Sequence, residues 1–217
     1  MTRLFVTGTD TDVGKTRVTA ALAAMCIAHG ERPTIVKAVQ TGLAAGVPGD
    51  AAVAGALAGC AALEFARFRL PADPWAAALA EDAPPLDAGR LARQIEAVAG
   101  AVIVEGAGGA AVPLNADETL TTVIARTSCA AVVVTGIRLG CINHTLLTLA
   151  YLEAHGVPVH GVVLVERWGP CDPGERARTG RAIGTHAPLL ALIEYDRDAP
   201  RSVARAAILL DKVGTRA

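Results

Sequence analysis

A lysine and a threonine follow a glycine-containing loop near the start of the chain. The loop reads Gly-Thr-Asp-Thr-Asp-Val-Gly-Lys-Thr from Gly8 to Thr16, after an apolar run at 4–7 and before an alanine-rich stretch. The amides of such a loop and the N-terminus of the next helix bind phosphate, the lysine reaches the terminal phosphates, and the hydroxyl ligates Mg²⁺. We therefore predict a nucleoside triphosphate site around Lys15 and Thr16.

The spacing of this loop departs from the usual phosphate-binding pattern. Five residues separate Gly8 from Gly14, whereas the usual pattern has four before Gly-Lys-Ser/Thr. The alternative is a plain glycine-rich turn between a strand and a helix. The Lys-Thr pair and the strand–loop–helix context favour a variant phosphate-binding loop.

Two further charged residues end apolar runs of strand type. Lys37 follows Thr-Ile-Val, and Glu105 follows Val-Ile-Val and precedes a glycine-rich run that includes Gly108. Lys37 is placed to direct a second cation at transferred phosphoryl charge, and Glu105 is placed to support Mg²⁺. The alternatives are a solvated lysine that leaves a strand and a charge that caps a tight turn.

Two other positions have weaker signals. Asp50 is a third candidate oxygen ligand for the metal, but in isolation it reads better as the N-cap of the following helix. Asn143 is a candidate N-cap at the start of another helix, where free amides suit a carboxylate. His144 reads as a structural or surface histidine and not as a base.

The surrounding elements alternate between strands and helices. We predict strands at 4–7, 34–37, 101–104, 130–135, 159–165 and 189–193, and helices at 15–29, from 50 onward, 87–99, 143–155, 174–184 and 199–213. Residues 71–87 read as a proline-rich loop with one short helix. Continuously apolar strands that alternate with helices predict an α/β fold, a doubly wound and mostly parallel sheet with helices on both faces. Ligands bind at the carboxyl ends of such strands, where the residues above lie.

Composition limits the classes of function. The chain has 217 residues, which we assign to a single domain over 1–217, with 52% hydrophobic residues and a net charge of −1. The absence of a basic block argues against nucleic-acid binding. The five cysteines form no CxxC pair, and we find neither a signal peptide nor an apolar run long enough for a membrane span. We therefore expect a cytoplasmic protein with no membrane partner.

Taken together and in order, these motifs resemble the dethiobiotin synthetase family over about residues 1–165. The matching segments are 8–16, Lys37 with 40–42, 49–50, 105–109 and 139–145. The resemblance implies a P-loop NTPase fold and an ATP- and Mg²⁺-dependent ligase of biotin synthesis. An amine of 7,8-diaminopelargonate would capture CO₂ as a carbamate, which would attack the γ-phosphate of ATP. The second amine would then displace phosphate from the mixed anhydride and close the ureido ring.

The resemblance also implies roles for individual residues. Lys15 and Lys37 would be catalytic, and Thr16, Asp50 and Glu105 would hold the metal. The nucleotide-binding set would be Asp12, Val13, Gly14, Lys15, Thr16, Arg17, Glu105, Gly108 and Glu166. The substrate-binding set would be Thr11, Lys37, Thr41, Gly108, Asn143, His144 and Thr145, with Asp12 also lining the diamine site. The last three would serve a second subunit, which predicts a homodimer with the active site at its interface.

One position departs from the family pattern. Glu166 stands where family members often carry an asparagine that contacts adenine, so a reduced preference for adenine is a hypothesis. The main alternative function is a nucleotide switch or partition-type ATPase, which typically carries a lysine where this chain has Asp10. A related amide-forming synthetase would usually need a glutaminase domain, for which this chain is too short. A catalytically dead homologue is disfavoured because Lys15, Thr16, Lys37 and Glu105 are all present.

Overall fold

The computed structural model describes residues 1–214, and within them seven strands form one sheet. The strands are β1 (Arg3–Gly8), β2 (Thr34–Lys37), β3 (Ala61–Glu64), β4 (Val102–Glu105), β5 (Ala130–Gly136), β6 (Val159–Val165) and β7 (Leu189–Ile193). The helices are α1 (Lys15–Ala28), α2 (Asp50–Ala58), α3 (Pro74–Ala80), α4 (Ala88–Glu96), α5 (Leu120–Ala125), α6 (Cys141–Ala154), α7 (Pro173–Gly184) and α8 (Ala199–Gly214).

The sheet order is β3-β2-β4-β1-β5-β6-β7, and each neighbouring pair is parallel. From β1 the chain adds β2, β3 and β4 on one side, with β4 between β2 and β1, and then adds β5, β6 and β7 on the other side. This order confirms the predicted doubly wound α/β fold. Ligands bind such sheets where the strand order reverses, which here is the carboxyl end of β1.

Alternation along the strands divides the core into two layers. Phe5 and Val104 pack into one layer, and Val6 and Ile103 pack into the other, because successive side chains of a strand point to opposite faces. Helices α1, α2 and α8 cover the second layer, and α3 to α7 cover the first. Both faces are covered, which explains why the central strands are apolar throughout.

The sequence patterns predict no element at β3 or α5. Strand β3 reads Ala-Ala-Leu-Glu at the sheet edge, and α5 is a short helix with two threonines. Neither segment has a strong local propensity for its structure. Strand β3 is therefore stabilised by pairing with β2, and helix α5 is stabilised by packing on the core. The short helix expected within 71–87 is confirmed as α3, whose N-cap Asp73 accepts a hydrogen bond from the Ala76 amide at 2.9 Å.

Two predicted helix caps are wrong. The N-cap of α2 is Gly49 and not Asp50, and no side chain caps that helix. The N-cap of α6 is Gly140 and not Asn143, because the helix begins two residues earlier than predicted. Gly140 has a left-handed φ of 89° and no side chain. A search for capping side chains in the sequence therefore does not find this N-cap. Among the described residues, no helix combines the length and apolar character that a membrane span requires.

Candidate active site

A cavity of about 760 Å³ lies at the carboxyl ends of β1, β2 and β4. The predicted site residues that line it are Thr11, Asp12, Gly14, Lys15, Thr16, Arg17, Lys37, Thr41, Asp50, Glu105 and Gly108. They come from four separate segments of the chain, 11–17, 37–41, 50 and 105–108, and the parallel sheet brings its strand ends to one edge. A second cavity of about 860 Å³ between α7, β7 and α8 contains none of the predicted residues.

The loop between β1 and α1 has the backbone that an anion cradle needs. Gly14 has a φ of 102° and Asp12 a φ of 57°, so two left-handed residues flank Val13. Such alternation turns successive amides toward a common centre. A Cβ on Gly8 would lie 2.9 Å from the Asp10 carbonyl oxygen, which explains the first glycine of the motif.

Lys15 folds over this loop. Its side chain is buried, and its Nζ donates to the Asp10 carbonyl oxygen at 2.8 Å. Burial and the nearby charge of Lys37 lower the pKa of Lys15 to about 8. Among the described residues, no carboxylate bonds to the Lys15 Nζ. A bound phosphate would supply the negative charge that this buried ammonium lacks.

Lys37 lies between two carboxylates. Its Nζ is 2.8 Å from Glu105 Oε1 and 2.6 Å from Asp50 Oδ2, and it donates to the Gly106 carbonyl oxygen at 3.1 Å. The side chain is only 3% exposed, so the solvated reading is wrong. Burial opposes the charge, but Glu105 and Asp50 attract it more strongly, and the pKa of Lys37 lies above its ordinary value.

Strand register explains the Lys37–Glu105 pair. Lys37 and Glu105 are direct partners between β2 and β4. The reading of Glu105 as a turn charge is wrong, because the residue ends β4 and is 1% exposed. Gln40 then orients Asp50, whose amide donates to Gln40 Oε1 at 2.9 Å.

The oxygen atoms around Glu105 fit a magnesium ion. The Thr16 hydroxyl donates to Glu105 Oε1 at 3.1 Å, and Glu105 Oε2 is buried without a hydrogen-bond partner in the part of the chain that is described. The described part of the chain contains no group of three His, Cys, Asp or Glu side chains arranged for a metal. Two carboxylates and a hydroxyl match magnesium bound to a nucleotide, because phosphates and water complete its shell.

Three residues predicted to bind the nucleotide have side chains that bond to or pack against other parts of the protein. Arg17 lines the cavity, but its guanidinium donates to the Asp196 carbonyl oxygen at 2.9 Å. The Val13 side chain is buried in the core and can offer a ligand only its backbone. The structure does not bring Glu166 to the cavity lining.

The Glu166 carboxylate is already engaged with protein groups. It accepts from the Tyr195 amide at 2.9 Å and the Cys171 thiol at 3.1 Å, and it lies 3.3 Å from Arg176 Nη1. These contacts hold its pKa below the ordinary value despite the burial that opposes the charge. Glu166 thus anchors the loop after β7, and its direct nucleotide role stays a prediction.

Asn143, His144 and Thr145 lie on α6, away from the cavity lining of their own chain. The His144 amide donates to the Gly140 carbonyl oxygen at 3.1 Å, and the Thr145 hydroxyl donates to the Cys141 carbonyl oxygen at 2.7 Å. Because the helix starts early, the His144 amide is not available to a ligand. The first-turn amides that remain are those of Ile142 and Asn143, for which the described residues show no acceptor.

Sequence reasoning missed the apolar part of the cavity lining. Leu43, Val53, Leu57, Pro71, Pro74 and Val112 line it. These residues come from loops, from the start of α3 and from a face of α2 that shows no distinctive local pattern. Two ion pairs over the phosphate-binding loop were also missed, Arg138–Asp10 and Arg167–Asp12. Each joins residues more than a hundred positions apart, so no spacing rule finds it.

Comparison with known proteins supports one family. A family model described as an AAA domain matches residues 2–201. The chain is 40% identical over 231 residues to an ATP-dependent dethiobiotin synthetase from Anaeromyxobacter dehalogenans, covering 98% of this chain and 99% of that protein. It is 41% identical to one from Parafrankia sp., covering 82% of this chain and 76% of that protein.

Solved structures confirm the fold at lower identity. The cell division ATPase MinD of Pyrococcus furiosus superposes with a TM-score of 0.62 at 19% identity, covering all of this chain and 99% of that one. A ParA family ATPase of Chlorobium tepidum has a TM-score of 0.56 at 14% identity, covering 98% and 97%. At such identity the likeness concerns the P-loop NTPase fold alone. The level and coverage of the first comparison, added to the geometry of the cavity, show that the chain belongs to the ATP-dependent dethiobiotin synthetase family.

Proposed function

We propose that this chain closes the ureido ring of dethiobiotin from 7,8-diaminopelargonate and CO₂, with hydrolysis of ATP to ADP and phosphate, as a step of biotin biosynthesis. Family membership supports the reaction class. The observation that carries the proposal within the structure is the buried Lys37 ammonium, held between Asp50 and Glu105 and 3% exposed beside the phosphate-binding loop.

The cavity offers what this chemistry requires. Phosphoryl transfer needs positioning and charge stabilisation more than a protein nucleophile. Lys15 would hold the terminal phosphates, and Lys37 would stabilise the negative charge that the carbamate oxygen shares with the γ-phosphate as they react. The amides of the Asp12–Gly14 turn would hold the remaining phosphate oxygens.

A magnesium ion would be held by Thr16, Asp50 and Glu105. When bound, it would supply Lewis-acid neutralisation of phosphate charge. In the described structure, the Lys37 ammonium bridges the two carboxylates. The two acids would therefore have to share their oxygens between Lys37 and the ion, and the unpartnered Glu105 Oε2 supplies one oxygen for that.

The diamine would lie against Thr11, Thr41 and Gly108, which line the cavity. Hydroxyl and carbonyl oxygens there suit amines, and the adjoining apolar side chains suit an alkyl chain. The substrate carboxylate would rest on the first-turn amides of α6 in a second subunit, near Asn143. This proposes a homodimer whose sites lie at the interface, in a single-domain protein whose cytoplasmic location stays a prediction.

The partition-type ATPase is the weaker alternative. Its support is the fold of MinD and ParA, which is shared at under 20% identity. This chain has Asp10 where that class typically carries a lysine. The Asp10 carboxylate is paired with Arg138 at 2.6 Å.

Phosphate release from purified protein with Mg-ATP and bicarbonate tests the proposal. We expect release that depends on 7,8-diaminopelargonate, with a cyclic urea product by mass spectrometry. Release with CTP but not with ATP would keep the reaction and change the nucleotide. Release that DNA or a protein stimulates, and the diamine does not, would support the alternative.

A further inference from the structure

The end of β6 contacts the phosphate-binding loop through alternate residues. Val165 packs against Gly14, where an added Cβ would lie 3.1 Å from Val165 Cγ1. Two positions on, Arg167 donates through Nε to Asp12 Oδ1 at 3.1 Å and also through Nη2. Glu166 lies between them and faces the loop after β7. The extended alternation therefore continues beyond the strand and brings Val165 and Arg167 to the same side.

Asp12 is held in an unusual backbone conformation. Its φ of 57° lies in the left-handed region, where Asp82 is the other non-glycine residue of the described chain. This conformation is unfavourable for a residue with a Cβ, although aspartate tolerates it better than most. A residue persists there when its surroundings over-determine it. The Arg167 guanidinium, with two donors on one carboxylate oxygen, is a contact that restrains the Asp12 side chain.

We propose that Arg167 is a positioning residue for nucleotide binding, which holds Asp12 left-handed so that the amides of the 12–14 turn face the phosphates. Gly14 adopts its own positive φ without cost, since it has no Cβ. Asp12 needs outside support, and Arg167 gives it from a loop more than a hundred residues away. The inference rests on the proposed use of ATP by this chain.

A second ion pair of similar exposure serves as a control. It distinguishes support of the Asp12 backbone from the general effect of a positive charge beside the phosphate-binding loop. Arg138 Nη2 lies 2.6 Å from Asp10 Oδ2, with side chains 44% and 49% exposed. The Arg167–Asp12 pair is similarly exposed, at 42% and 59%. Both pairs join an arginine of a strand-end loop to an aspartate of the phosphate-binding loop. Asp10 is not among the described residues of positive φ.

The test is a double-mutant cycle on ATP affinity, measured by titration calorimetry with Mg-ATP. Arg167→Ala should weaken ATP binding by about fivefold, because the left-handed residue loses its support. Arg138→Ala should weaken it by less than about twofold, as expected for an exposed pair. The KM for ATP should rise in Arg167→Ala by a factor similar to the loss of affinity, and the change in kcat should be smaller than the change in KM.

The Asp12→Gly variant is the second background in which the effect of Arg167→Ala is measured. Glycine adopts this φ freely, so Arg167→Ala added to Asp12→Gly should cost less than about twofold beyond Asp12→Gly alone. An equal loss in both backgrounds would mean that Arg167 contacts the nucleotide itself, and this would overturn the inference. Unchanged affinity in Arg167→Ala, with normal binding by the unmutated chain, would overturn it as well. If the unmutated chain binds no ATP, the proposed nucleotide site fails first and takes the inference with it.

Discussion

At the scale of single residues, the two lysines of the cavity are in opposite electrostatic situations. Lys37 lies between two carboxylates, and its pKa is raised despite burial. Lys15 bonds to a carbonyl oxygen, and burial lowers its pKa to about 8. The folded chain thus favours the charge of Lys37 and disfavours that of Lys15. Their removal should affect stability in different ways even though both should lower turnover.

For Lys37→Gln we expect the free energy of unfolding to fall by about 3–5 kcal/mol, because the buried Glu105 carboxylate loses its ion-pair partner. Turnover should fall on the order of 10²-fold through the loss of a preorganised charge. Denaturant unfolding and steady-state kinetics measure the two effects. Lys37→Gln with Glu105→Gln should regain stability but not activity, and a double mutant as unstable as the single would contradict this account.

For Lys15→Met we expect no loss of stability, because the fold already disfavours the charge that is removed. The rate should nevertheless fall by about 10²-fold or more, since a preorganised phosphate contact is lost. Unfolding curves without nucleotide, together with phosphate release, check both statements. Near-normal turnover would remove Lys15 from the catalytic set.

At the scale of elements, one carboxylate connects the helices that follow the proline-rich loop. Glu118 accepts hydrogen bonds from the Ala88 amide at 2.9 Å, from Asn115 Nδ2 at 2.9 Å and from Arg126 Nη1 at 2.7 Å. It thereby joins the start of α4 to the region around α5. The Ala88 amide is the largest cause of its lowered pKa, followed by the Asn115 amide.

Glu118→Gln should lower the free energy of unfolding by about 1–2 kcal/mol at pH 7, because a charged acceptor becomes neutral. A lowered pKa stabilises the folded state above the ordinary value of 4.5, and this contribution is lost as the pH falls through the folded-state pKa. The difference between the two proteins should therefore shrink below about pH 4.5. Denaturant unfolding across pH measures it, with the exposed neighbour Asp117→Asn as the control that should change little.

At the scale of the whole molecule, two leucines at α6 and just before it are exposed in the described chain. Its buried residues are Cys141, Thr145 and Leu152, whereas Leu147 is 62% exposed and the preceding Leu139 is 99% exposed. The same helix carries the amides proposed to bind the substrate carboxylate of a second subunit. An interface there would bury the leucines and complete the site in one step.

Leu147→Glu should convert the proposed dimer into a monomer, since a carboxylate would be buried against an apolar surface. Analytical ultracentrifugation gives the mass, and activity should fall with it because each site loses the partner's amides. Leu79→Glu on α3 is the matched control at 59% exposure and should stay dimeric. A wild-type chain that is monomeric and fully active would refute the shared site.

Local sequence determined the central strands, the phosphate-binding loop and the strand ends that carry Lys37 and Glu105. These features depend on periodicity and on residue types that act over a few positions, such as a glycine without a Cβ or a β-branched run. Weak segments such as β3 and α5 had no such signal. Their structure follows from pairing and packing with distant residues.

The contacts that make a site from these parts belong to the folded chain. Lys37 meets Glu105 because β2 and β4 are neighbours in register, although the two are 68 residues apart in sequence. Glu166 turns away from the cavity, while Arg167 reaches Asp12 across 155 positions. Local patterns cannot specify such pairs, because strand order and register bring them together, and both depend on burying the whole sheet at once.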